Sequence, residues 1–96
     1  MDHIYIVTYD ISDAGTWRIV FRLMKGYGEW VQLSVFQCRL DRMRHAEMIS
    51  DLDRAIDHGH DHIVIFDLGP ADSVDPRVVN LGKGSFNPVR IGVSIV

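Results

Sequence analysis

Residues 3 to 9, HIYIVTY, are β-branched and aromatic and apolar or mixed on both faces, the pattern of a central strand covered by helices. Asp10 ends the run. Ser12 and Asp13 can each accept a hydrogen bond from the free N–H groups of a following helix, which predicts one over about 14 to 26. Within it Trp17, Val20, Phe21 and Met24 fall at i, i+3, i+4 and i+7, a continuous apolar stripe, and Gly26 and Gly28 fit its C-terminal stop. Residues 29 to 40, EWVQLSVFQCRL, are strand-like throughout. So long a run is either one bent strand or two short strands reversing near Ser34. No Asn-Gly or Asp-Gly marks the turn.

A second helix is predicted over about 43 to 58, with Ala46, Ile49, Leu52 and Ile56 on one side and Gly59 as its stop. Residues 61 to 68 predict another strand. Residues 69 to 88 carry Gly and Pro punctuation and read as a connection with a short strand at Val78 to Leu81. The last seven residues, Arg90 to Val96, alternate loosely, as a terminal strand does. With the middle run taken as a hairpin, the order is β-α-β-β-α-β plus an extra C-terminal strand. That is an α+β, ferredoxin-like split βαβ plan in one domain, with 69 to 96 as connection and tail. Two helices would cover one face of an antiparallel sheet. The other face would be left for a second copy, giving a homodimer through sheet faces.

Composition adds little to this, and charge adds more. Hydrophobic residues make up 47% and charged residues 24%, which fits a globular chain of 96 residues. The net charge of −3 argues at first against nucleic acid. Its distribution is uneven: residues 14 to 44 sum to +4 and residues 45 to 75 to −7. One part of the molecule would attract phosphate while another repels it, or both are ordinary solvated faces. Cys38 is the one cysteine, which favours a reducing compartment. No apolar run approaches the about 20 residues that span a bilayer, and no secretory signal pattern is evident. A cytoplasmic protein without membrane contact is the expectation.

Arg18, Arg22 and Lys25 lie at i, i+4 and i+7, on the helix face opposite the apolar stripe. They span about 10 Å, enough to touch neighbouring phosphates. Arg39, Arg42 and Arg44 either extend that patch or form ion pairs with Asp41 or Glu47. Neither set resembles a base-reading module, so binding would follow the backbone. Asp10 alone reads better as a turn residue than as a metal ligand, because one aspartate is a poor metal site. His58, His60 and His62 have a weak zinc spacing, and the helix dipole suffices for His58. Asp67 would sit near the start of the first strand, far from Asp10. Cys38 would be packed in the sheet, with no base placed to activate it.

Tyr9-Asp10-Ile11 closing the first strand, the basic helix, Tyr27-Gly28 and then Val31-Gln32-x-Ser34-Val35-Phe36 together resemble the small universal CRISPR-associated adaptation protein, the Cas-two family. The likeness runs in order and spacing over residues 1 to 68. It implies a ferredoxin-like homodimer that partners the CRISPR integrase in spacer acquisition. It also implies Mg²⁺- or Mn²⁺-dependent endonuclease activity in some members, on single-stranded RNA or duplex DNA. The metal-site aspartate falls on Asp10 and its aromatic neighbour on Tyr9, both taken as catalytic. The helix basics fall on Arg18 and Arg22, and the motif Ser and Phe on Ser34 and Phe36. One departure stands: Gln37 occupies a position often held by Glu in such sequences. A non-catalytic scaffold for the integrase and a toxin-type ribonuclease of similar fold are the alternatives.

Overall fold

The computed structural model of the chain describes residues 1 to 88. Four strands and two helices follow in the order β1 (His3–Asp10), α1 (Ala14–Lys25), β2 (Gly28–Gln32), β3 (Val35–Leu40), α2 (Arg42–Ala55) and β4 (His62–Pro70). The strands form one antiparallel sheet in the order β2-β3-β1-β4, so β1 and β3 are central. This is the α+β plan expected from the sequence. The C-terminal strand expected at Arg90 to Val96 lies outside the described residues.

Side chains alternate across the sheet. Tyr5, Val7 and Tyr9 of β1 and Phe36, Cys38 and Leu40 of β3 point to the helices, where they meet Val20 and Met24 of α1 and Met48 and Leu52 of α2. Ile4, Ile6, Thr8 and Asp10 point to the other face, where the first three pair with Arg39, Gln37 and Val35 of β3. Neither helix covers that face. Phe66 of β4, paired with Ile6, is half exposed on it.

Local chemistry sets the boundaries. Asp13 caps α1 by accepting from the Thr16 backbone N–H at 2.8 Å and from its hydroxyl at 3.0 Å. Asp41 caps α2 through the Arg44 N–H at 2.8 Å. The middle run is a hairpin that reverses through Leu33 and Ser34, with Leu33 at a positive φ of 42°. Trp30 Nε1–H closes it on the Leu33 carbonyl at 2.9 Å, in place of a glycine turn.

Four expectations are corrected. The second helix stops at Ala55, before Gly59, because the Asp57 carboxylate accepts from the Gly59 N–H and the Asp61 carboxylate from the Asp57 N–H, which builds a turn instead. Its inward side is Met48, Leu52 and Ala55 with half-buried Ile56; Ala46 and Ile49 face outward. The last strand continues to Pro70, with an irregularity opposite Ile4 and Tyr5, so the connection begins at residue 71. Val78 to Leu81 is not a strand. Asn80 instead binds both backbone groups of Phe86, folding the segment into a loop. Its far end reaches the helix-free face, where Gln37 Nε2 donates to the Asn87 carbonyl at 3.1 Å.

Candidate metal and nucleic-acid site

Asp10 is exposed at the C-terminal end of β1, opposite His62 across the strand pair. The strand's alternation puts it on the helix-free face. Tyr9, one residue earlier, turns the other way. Its ring is buried among Trp17 and Phe36, with centroids 6.2 Å and 6.4 Å away. Its hydroxyl has no hydrogen-bond partner among the described residues, and burial pushes its pKa up to about 12. Tyr9 therefore stays protonated near neutral pH. In a single chain it and Asp10 lie on opposite sides of the sheet.

The Ser and Phe of the motif hold this end of β1 in place. The Ser34 carbonyl accepts from the Tyr9 N–H at 3.0 Å, and its hydroxyl oxygen accepts from Trp17 Nε1–H at 2.8 Å. One residue thus ties the hairpin to both β1 and α1. Phe36 is fully buried, edge-on to Phe21 at 5.4 Å. The Trp17–Ser34 bond joins residues far apart in sequence, and no local pattern announces it.

The basic residues of the segment from 14 to 44 divide into three groups. Arg18, Arg22 and Lys25 are exposed together along α1. Arg44 joins their end: its guanidinium donates to the Gly26 carbonyl at 2.9 Å and lies 4.3 Å from the Tyr27 ring centroid, while also facing Glu47 at 3.6 Å. Arg39 is on the helix-free face, paired with Asp2 at 3.1 Å. Arg42 starts α2 beside His3, His45 and Asp67. So the α1 patch is extended by Arg44, not by Arg39 or Arg42. The exposed Asp53 near the C-terminal end of α2 and the exposed Asp57 just after it are engaged by His58 and His60.

Among the described residues no group of three His, Cys, Asp or Glu side chains is placed to hold a metal ion. At this end of β1 one chain offers the exposed carboxylate of Asp10. Mg²⁺ keeps several waters and uses one or two carboxylates, so the donor fits as half of a paired site. Asp67, as the topology requires, is at the other end of β1, bonded to His3 Nδ1 at 2.8 Å. Cys38 is buried with its thiol pushed up to about 12 by desolvation, which removes it as a nucleophile.

The family model for CRISPR associated protein Cas2 matches residues 3–74. A CRISPR-associated endoribonuclease Cas2 of Geobacter sulfurreducens is 49% identical over 89 residues, covering 93% of both chains. A protein of the same description from Rhodospirillum rubrum is 57% identical over 82 residues, covering 85% of this chain and 80% of its own. Among solved structures, a hypothetical protein of Thermus thermophilus superposes with a TM-score of 0.76 at 35% identity, covering 90% of this chain and 98% of that one. Streptococcus pyogenes Cas2 superposes with a TM-score of 0.65 at 31% identity over 69% of this chain and 86% of that one. With residues 3–74 matched by the family model and relatives 49% and 57% identical over most of its length, the chain belongs to the Cas2 family of CRISPR-associated proteins.

Proposed function

We propose that the protein acts in CRISPR spacer acquisition as a homodimer that binds the nucleic-acid backbone, beside the CRISPR integrase, and cleaves phosphodiesters at paired Asp10 residues. The observation that carries this reading is the position of Asp10: exposed, at the strand end, on the sheet face that neither helix covers. A second copy packed on that face would bring two carboxylates together. Half-exposed Phe66 on the same face supplies apolar surface for such contact.

The two Asp10 carboxylates would hold Mg²⁺ or Mn²⁺, which when bound lowers the pKa of a coordinated water and offsets charge developing on the phosphate. Arg18, Arg22 and Lys25 would grip neighbouring backbone phosphates and orient the strand. Tyr9, protonated and core-facing, would position Asp10 through the packing of β1. Relatives are named both endoribonucleases and, in one Thermus thermophilus protein, an endonuclease, so single-stranded RNA and duplex DNA are both candidate substrates.

A scaffold without catalysis is the second reading. It is favoured by Gln37, a neutral side chain where an additional carboxylate would strengthen a metal site. The toxin-type ribonuclease reading gains no support, since the relatives are named as CRISPR-associated. Asp10→Cys tests the pairing. A short bifunctional thiol reagent should link two chains of this variant, and wild type should not be linked because Cys38 is buried. Failure to link a variant that is dimeric in solution would refute a shared Asp10 site.

A further inference from the structure

A cavity of about 530 Å³ opens at the other end of β1 from Asp10, lined by Met1, His3, Tyr5, Arg42, His45 and Asp67. It has no part in the function proposed above. β1 supplies His3 and Tyr5, β4 supplies Asp67, and the first turn of α2 supplies Arg42 and His45. It lies on the helix side of the sheet, so it stays open if two copies meet through the other side.

Its side chains are held in place. The His45 ring lies flat on Tyr5, with centroids 4.2 Å apart and planes 6° apart. His3 Nδ1 is 2.8 Å from Asp67 Oδ1, and that same oxygen accepts from the Gly69 N–H at 2.9 Å. These contacts hold the Asp67 carboxyl below the usual carboxylate range, the His3 hydrogen bond first among them. One oxygen of the carboxylate is thus occupied, and His3 keeps Nε2 for another partner. Tyr5, desolvated by burial and facing Asp67, is pushed upward and remains a neutral phenol. Arg42 and the ring nitrogens of His45 have no hydrogen bond or ion pair among the described residues.

We infer that this cavity binds a phosphate group. Arg42 offers a guanidinium fork, His45 a ring N–H and His3 its second ring nitrogen. The phosphate belongs to a strand held by the protein, a step that rests on the nucleic-acid reading above. The cavity would then fix one phosphate well away from Asp10 and set where the strand lies.

The test follows the histidine Cε1–H signals of the full chain by NMR at one fixed pH. The probes are sulfate, a phosphate mimic, and a short single-stranded oligonucleotide. Both should shift the His3 and His45 signals, and Arg42→Gln or His45→Gln should weaken oligonucleotide binding about five- to tenfold. Sulfate binding without oligonucleotide binding would keep the site, assign it to free phosphate and count against the nucleic-acid reading. Oligonucleotide binding that leaves these signals and both variants unaffected would overturn the site alone. Unmoved signals with sulfate and oligonucleotide alike would overturn it as well.

Discussion

At the scale of single residues, neighbours in sequence do opposite things. Tyr9 is buried and Asp10 exposed because a strand alternates, and that alternation assigns the aspartate to the open face. Ser34 shows how a motif residue can be structural: its hydroxyl oxygen meets the Trp17 indole N–H. Ser34→Ala should cost about 1–3 kcal/mol by leaving that donor unpaired, measurable as a lower urea midpoint with unchanged slope. Gly28 is required for another reason. A Cβ there would run into the Gln37 carbonyl and the Cys38 sulfur, so Gly28→Ala should break the β2–β3 pairing and lower Tm sharply. Cys38, with its thiol pushed up to about 12, should resist thiol reagents at pH 8 until the chain is unfolded. Asp67 gives a pH effect of known sign. Its pKa is lowered in the folded chain, chiefly by His3, so its contribution is present above the ordinary carboxylate value of 3.8 and is lost as pH falls below it. His3→Gln should therefore make acid unfolding shallower in that window. These residue roles were only partly legible in the sequence. Asp10 and Phe36 stand in a recognisable string, whereas the Trp17–Ser34 and His3–Asp67 bonds depend on how distant segments meet.

At the scale of elements, what periodicity could carry, it carried. The stripe of Trp17, Val20, Phe21 and Met24 faces the sheet because its members are apolar side chains at helical spacing, with Arg18 and Arg22 opposite. The second helix was less legible. Its outward face also bears Ala46 and Ile49, so two apolar stripes compete, and the packing of Met48 and Leu52 against the sheet decides between them. The hairpin lacked a glycine turn, and its reversal depends on Trp30 reaching the Leu33 carbonyl. The basic face of α1 is the element with a binding role to test. Replacing Arg18 and Arg22 together with alanine should weaken binding of duplex DNA and single-stranded RNA without regard to sequence. It should also lower the slope of log affinity against log salt by about 2 for duplex, roughly one for each phosphate that an arginine no longer neutralises. Unchanged affinity and slope would remove α1 from the interface.

At the scale of the whole molecule, charge and surface divide the labour. The basic face of α1 and the acidic side chains of and after the end of α2 belong to different elements, so a net charge of −3 still leaves a basic face for the proposed nucleic-acid partner. The sheet face opposite the helices carries Asp10 at one end and Arg39, paired with Asp2, at the other. Phe66→Glu should shift a dimer toward monomer in light scattering at micromolar concentration, because a charge would replace apolar surface at that face. The most direct measurement is cleavage of labelled single-stranded RNA and duplex DNA, with Mg²⁺ and with chelator, by wild type and by Asp10→Ala. Mg²⁺-dependent cutting that disappears in the variant, with its dimer and its nucleic-acid affinity intact, is the expected result. Cutting by the variant at the wild-type rate, or no cutting by either, would contradict a catalytic Asp10 and leave the scaffold reading in its place.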